Sequence, residues 1–297
     1  MSTLTPSPIL SVEDINVNYH VAGSDVTAVS NVSFDLAPGE RMAIVGESGS
    51  GKSTLSTAVA GFLSAPNASI SHGRFIFDGH DVDRTKIHQV PQRTEGISMV
   101  FQDAMTSLDP VWSVGSQLLN VLRTQAKRAG RRLTAAEANA EARNWLAKVG
   151  LTDSHRIMKA RPFELSGGMR QRVMLAIALC GAPKVLIADE PTSALDAALS
   201  REVMELMVQL TDDLGAALII VTHDIGLCLD YAHRVLVMNR GHVVDDRDAT
   251  TVEHTAEDPY TIGLLACVPT LDSVNLDQLP TLEGASRLAF ATERLAS

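Results

Sequence analysis

Cysteine is scarce in this sequence, and its placement excludes two classes of small protein. The 297 residues contain only Cys180, Cys228 and Cys267, too far apart for a disulfide framework or a C-x-x-C metal site. They suit a reducing compartment, and Cys180 and Cys228 fall in apolar helical stretches where a buried thiol acts as a small hydrophobe. No apolar run approaches the ~18–20 residues that span a bilayer. Met1 to Pro8 lacks the basic-then-apolar pattern of a signal peptide. A basic excess is missing too: 25 Lys and Arg face 35 Asp and Glu, a formal net charge of −10. That balance argues against a role in coating nucleic acid. There is no internal repeat and no extended low-complexity tract. What remains is an ordinary globular composition, 45% hydrophobic and 20% charged, long enough for one large domain or two small ones.

Against that background one stretch stands out. A short apolar run, Met42-Ala43-Ile44-Val45, leads into Gly46-Glu47-Ser48-Gly49-Ser50-Gly51-Lys52-Ser53-Thr54, and a helix-like segment, Leu55 to Leu63, follows. This is G-x-x-x-x-G-K-[ST] between a strand and a helix, the setting that makes it a phosphate-cradling loop rather than a plain Gly/Ser turn. The glycines let backbone N–H groups turn inward around a polyphosphate, and the helix N-terminus adds its dipole. Lys52 is placed to reach the β- and γ-phosphates, and Ser53 to offer its hydroxyl to Mg²⁺. The chain is expected to bind a nucleoside triphosphate.

The rest reads as an α/β protein. Ile9 to Tyr19 and Ala28 to Leu36 alternate as strands on either side of a turn at Gly23-Ser24-Asp25. Pro38-Gly39-Glu40 then turns the chain into the phosphate-loop strand. Tyr19 reads either as a strand aromatic or as a residue that stacks on a base. Pro66 to His72 reads as a loop, and Gly73 to Phe77 and Gly96 to Phe101 as strands. Gln102 follows directly, where a strand's carboxyl end meets a ligand crevice. From Ser113 to Arg161 the spacing turns helical: Val114, Leu118 and Leu122 recur on one face, and Thr134 with Glu137 is a capping box. This segment reads as a helical insertion between two halves of an α/β core.

Leu165-Ser166-Gly167-Gly168-Met169-Arg170-Gln171-Arg172 opens a further helix through Leu179, with Ser166 either a plain N-cap or part of a second anion-binding geometry. Val185 to Ala188 is a buried-strand run that ends in Asp189-Glu190. Two carboxylates there are costly unless they face a site. Asp189 suits Mg²⁺, held directly or through water, and Glu190 suits a base that orients or deprotonates water. The next helix is expected to bury Leu199, Val203, Leu206, Met207, Leu210 and Leu214. Ala217 to Val221 is a second buried-strand run, with Thr222-His223-Asp224 at its end. His223 is either a hydrogen-bonded structural histidine or a γ-phosphate contact. Arg234 to Asn239 and His242 to Asp245 form a hairpin around Arg240-Gly241. From Ala249 onward a helix gives way to a loose tail with Pro269 and Pro280.

Taken in order, the phosphate loop, Gln102, Leu165–Arg172, Asp189-Glu190, Ser193-Ala194-Leu195-Asp196 and His223 closely resemble the ATP-binding subunit of an ABC transporter, over roughly Ile9 to Asp245. The resemblance implies a P-loop NTPase core, a mixed sheet with flanking helices, carrying an antiparallel β subdomain and an inserted α-helical subdomain. It places an ABC ATPase domain at 9–245, with its helical part at about 103–181, and a truncated C-terminal extension at 246–297. The cofactors it implies are ATP and Mg²⁺. Tyr19 would stack on adenine, Lys52 and the rest of Gly46–Thr54 would hold the phosphates, and Ser53, Gln102 and Asp189 would serve the metal. Glu190 would be the general base, His223 would bind the γ-phosphate, and Asp196 would lie in a loop that communicates between subunits. Ser166 and Gly168, grouped with Gly167 and Gln171 in the nucleotide site, would contact ATP held by the opposite subunit.

Hydrolysis would therefore need a second ATPase subunit, identical or related. The other partners implied are two membrane permease subunits and an extracytoplasmic solute-binding protein acting through them, with no nucleic acid. The chain would sit peripherally on the cytoplasmic face of the inner membrane.

A narrower resemblance concerns cargo. Phe101-Gln102-Asp103-Ala104-Met105-Thr106-Ser107-Leu108-Asp109-Pro110 is similar to the Phe-Gln-Asp-Pro-Met-Thr-Ser-Leu-Asn-Pro stretch of peptide and nickel importer ATPases. Asp258-Pro259-Tyr260-Thr261, with Leu264-Leu265 and Pro269 after it, is similar to their His-Pro-Tyr-Thr tail. The departures are Ala104, Asp109 and Asp258. This implies an ATPase powering oligopeptide or dipeptide import; nickel or another small solute would need the same ATPase. A non-transport ABC ATPase acting on ribosomes or DNA is disfavoured by the acidic charge and by the lack of a second ATP domain or a long coiled coil. Only Cys267 stands where many peptide-importer subunits carry a cysteine-rich segment, so no iron–sulfur cluster is expected.

Overall fold

The structure, a computed structural model, describes residues 7–21, 23–85, 94–102, 107–193 and 195–268. Asp103 to Thr106 of the stretch after Gln102, Ala194, and the tail with Pro269 and Pro280 lie outside the described residues. The chain forms two compact units, Met1–Gln92 with Ile219–Ser297, and Arg93–Leu218.

In the first unit, β1 (Leu10–Val21) and β2 (Ser24–Leu36) pair antiparallel, with Leu10 opposite Leu36 and Tyr19 opposite Val26. Their alternation buries Leu10, Val12, Ile15 and Val17 of β1 and, directly opposite them on the same face, Leu36, Phe34, Val32 and Val29 of β2. β1 also pairs with β4 (Ala68–Ser71) and β5 (Arg74–Phe77), and β5 with the short β6 (His80–Asp81). β4 corrects the loop expected at Pro66 to His72. Its run Ala68-Ser69-Ile70-Ser71 is too short and too polar to signal a strand alone. Placed opposite Val17, Ile70 becomes buried, and β1 supplies the backbone partners.

The same unit holds a mixed set of strands: β3 (Arg41–Val45) runs parallel to β10 (Arg234–Asn239), which turns antiparallel into β11 (His242–Asp248). Arg240 and Gly241 make that turn at φ 49° and 83°, the paired positive values of a type I′ hairpin. Helix α1 (Lys52–Ala60) begins earlier and ends sooner than the sequence suggests, because Gly61 at φ 79° caps it with its N–H on the Ala58 and Thr57 carbonyls.

In the second unit, β7 (Ile97–Val100) and β8 (Val185–Asp189) are parallel, Ile97 facing Val185 and Val100 facing Ala188. Around them lie α2 (Val114–Arg128), α3 (Ala135–Lys148), α4 (Ser154–Lys159), α5 (Gly167–Leu179) and α6 (Ala197–Leu214). Thr134 and Glu137 form the expected capping box on α3. Val114, Leu118 and Leu122 of α2 are buried, as are Ala142, Trp145 and Leu146 of α3.

Helix α6 buries Val203, Met207 and Leu210 as expected, but the edges of its face differ from those read off the sequence. Val203, Met204, Met207, Leu210 and Thr211 are buried, whereas Leu199, Leu206 and Leu214 are half-buried. Thr211 can enter the core because its hydroxyl donates to the Met207 and Val208 carbonyls, each 2.9 Å away. Strand β9 (Ala217–Thr222) is buried throughout and leads to the short helix α7 (Ile225–Leu229). After β11 come α8 (Val252–Thr255) and α9 (Pro259–Ala266). Among the described residues, no helix is long and apolar enough to cross a membrane.

Candidate active site

In the first unit, β3 stops at Val45 and α1 starts at Lys52, and the loop between them turns through glycines at positive φ. Gly46 (φ 153°) and Gly51 (φ 101°) tolerate no side chain. A Cβ on Gly46 would lie 2.2 Å from the Met238 carbonyl oxygen, and one on Gly51 would lie 2.3 Å from that of Ala28. The loop is thus pressed against β2 and β10, and the Ser50 carbonyl accepts the Gly241 N–H at 2.9 Å.

Lys52 is only 4% exposed, and a buried ammonium needs partners. It donates to the Gly46 and Glu47 carbonyls at 2.7 and 2.8 Å and reaches the Ser50 hydroxyl at 3.4 Å. The cation is therefore held over the loop by its own carbonyl dipoles, ready to exchange them for phosphate oxygens. Glu47, Ser48 and Gly49 are exposed, as is Ser53 in the first turn of α1, and Thr54 is half-buried. A polyphosphate fits this cradle: bare glycines, a helix N-terminus and an inward lysine.

Two more expected residues belong to this unit. Tyr19 is half-buried on β1, between Val26 and Ala68 of the neighbouring strands. His223 is exposed directly after β9, beside Asp224, whose carboxylate caps α7 by accepting the Leu227 N–H at 2.9 Å. One contact was announced by no motif: the Glu47 N–H donates to the hydroxyl of Tyr260 on α9 at 2.7 Å. The similarity of Asp258–Thr261 to a family tail was its only sequence signal.

In the second unit, β8 is buried from Val185 through Asp189, which is 6% exposed. The backbone then turns sharply at Glu190, a non-glycine residue at φ 45°. The parallel register sets the ends of β7 and β8 side by side, and the Gln102 amide donates to Glu190 Oε2 at 2.9 Å. A neutral amide thus orients the half-buried carboxylate.

Among the described residues there is no cluster of three or more His, Cys, Asp and Glu that could hold a metal by itself. Mg²⁺ carried by phosphates needs only one or two protein oxygens. The Ser53 hydroxyl and the Asp189 carboxylate are each of that hard type.

Ser166 caps α5, its hydroxyl accepting the Met169 N–H at 3.3 Å, and both Ser166 and Gly167 are exposed. A Cβ on Gly168 would stand 3.3 Å from Leu199 of α6, so glycine lets the two helices approach. Gln171 is buried instead, and its amide donates to the Pro191 carbonyl, tying α5 to the turn after Glu190.

The ABC transporter family model matches residues 29–193. The dipeptide transport ATP-binding protein of Lactococcus lactis is 39% identical over 277 residues, covering 93% of this chain and 78% of that one. The oligopeptide transport ATP-binding protein of Escherichia coli is 42% identical over 266 residues, covering 89% and 77%. Among solved structures, cbiO1 of Clostridium perfringens, part of an ABC transporter complex, superposes with a TM-score of 0.66 at 30% identity. That match covers 87% of this chain and 95% of the other.

Proposed function

The chain belongs to the ABC transporter family, and from that premise we propose that it is the ATP-hydrolysing subunit of a peptide importer. Support for the cargo comes from relatives named for dipeptide and oligopeptide transport. The observation that carries hydrolysis is the Glu190 carboxylate, oriented by Gln102 at 2.9 Å where two buried strands end. We assign the ATPase domain to residues 9–245, its helical part to about 103–181, and the C-terminal extension to 246–297.

In this reading Tyr19 stacks on adenine, and Gly46–Thr54 wrap the phosphates with backbone N–H groups while Lys52 offsets their charge. Ser53, Gln102 and Asp189 would hold Mg²⁺, which would supply further neutralisation of charge on the phosphate oxygens. Glu190 accepts a proton from water as the water oxygen bonds to the γ-phosphorus; the bond to ADP breaks, and His223 holds the departing phosphate. Residues that complete a site in another chain must be accessible, and Ser166 and Gly167 are. With Gly168 they form the signature that closes on ATP held by a second ATPase subunit, identical or related. The buried Gln171 supports that signature from within α5 through its bond to the Pro191 carbonyl. Closure and reopening of that pair drive two permease subunits on the cytoplasmic face of the inner membrane, with a solute-binding protein delivering cargo outside.

Uptake tests the reading. A strain lacking the chain should fail to accumulate radiolabelled trialanine. The wild-type chain should restore uptake, and the Glu190→Gln chain should not. Lost uptake of a different solute with normal peptide uptake reassigns the cargo; unchanged uptake of every solute removes the transport role.

A further inference from the structure

The hydrogen bond from the Glu47 N–H to the Tyr260 hydroxyl, 2.7 Å long, joins the C-terminal segment to the phosphate loop. Glu47 is thereby held at both of its backbone polar groups: its carbonyl accepts from the Lys52 ammonium at 2.8 Å, and its amide is taken by Tyr260. A phosphate that draws the ammonium away releases the carbonyl, and Tyr260 then remains as the anchor of residue 47.

The helix carrying Tyr260 is itself fastened at both ends. Asp258 caps α9 by accepting the Tyr260 N–H at 2.8 Å, and its own N–H donates to Asp245 of β11 at 3.1 Å. Asp245 is buried and paired with Arg247 at 3.0 Å; Arg247 also reaches Glu257 at 3.1 Å. Just past the other end, Val268 lies against Gly226 of α7, where a Cβ would come within 2.9 Å of a Val268 methyl. One short segment thus touches the phosphate loop and the helix that follows His223. Burial first, and the Glu47 carboxylate as well, push the Tyr260 phenol up against the opposing pull of the Glu47 amide. Its oxygen is an uncharged acceptor at neutral pH.

We propose that Tyr260 is a positioning residue for the phosphate loop, so that the C-terminal segment sets how tightly the loop holds nucleotide. The proposal rests on the reading that Gly46–Thr54 binds ATP, and calorimetric titration of the wild-type full chain with MgATP checks that reading separately. Tyr260→Phe keeps the ring and loses the acceptor. It should raise the Kd for MgATP roughly three- to tenfold, the worth of one hydrogen bond, with kcat in the assembled transporter little changed. Amide exchange across residues 42–54 should also quicken, a readout that needs no nucleotide, while the melting temperature holds. Ile262→Ser, at an exposed position of the same helix, should change none of these. Unaltered exchange and affinity in Tyr260→Phe would overturn the proposal. So would a loss of affinity that merely follows a lowered melting temperature, as global loosening predicts.

Discussion

At the end of β8 the backbone leaves the strand through Glu190 at φ 45°, and its side chain meets the Gln102 amide at 2.9 Å. Glu190→Gln keeps the volume and removes the base, so turnover should fall about 10²–10⁴-fold while MgATP binding persists. Single-turnover hydrolysis set beside a binding titration checks this, and near-normal hydrolysis would take Glu190 out of its role. The loop glycines give a second contrast at this scale. Gly46→Ala would push a Cβ against the Met238 carbonyl, whereas at Gly49 (φ 83°) a Cβ meets nothing within 4 Å. Gly49→Ala should therefore cost only about 1–2 kcal/mol of backbone strain. Gly46→Ala should cost more and abolish MgATP binding, as urea denaturation and titration would measure.

Helix α6 illustrates what an element hides in its own sequence. Counting leucines puts Leu206 in the core and leaves Met204 out, yet Met204 is 1% exposed and Leu206 is half-buried. Met204→Ala should cost about 2–5 kcal/mol, as truncations of buried Leu, Ile or Met do, and Leu206→Ala distinctly less. Equal costs in chemical denaturation would turn the helix face back to the leucines. The periodicity was legible and placed Val203, Met207 and Leu210 in the core; the edges of the face were not, because Thr211 enters the core by satisfying its hydroxyl on the helix's own carbonyls. β4 shows the same limit from another side, since Ile70 has no reason to be a strand residue until Val17 lies opposite it.

For the whole molecule, the decisive question is what meets the exposed Ser166 and Gly167. In the assembled transporter, Ser166→Arg should leave this chain's own MgATP affinity unchanged and remove most transport-coupled hydrolysis. In the proposed composite site the serine serves the nucleotide of the opposite subunit, so the two measurements separate. Loss of the chain's own binding, or full hydrolysis, would contradict a composite site.

The sequence by itself determined whatever is local. A strand, a glycine loop and a lysine opening a helix occupy one short stretch, and their hydrogen bonds form between near neighbours, so spacing alone specifies them. The α3 capping box, the hairpin at Arg240-Gly241 and the carboxylates closing an apolar strand are legible for the same reason. Tertiary structure decided what depends on register and on distant backbone. The 88-position separation of Gln102 and Glu190 is closed by the pairing of β7 with β8. Ala28 and Met238 are what make glycine obligatory at positions 51 and 46. Tyr260 reaches Glu47 across 213 residues, because a hydrogen bond between them requires only that the fold bring two atoms together, and no local pattern records that meeting.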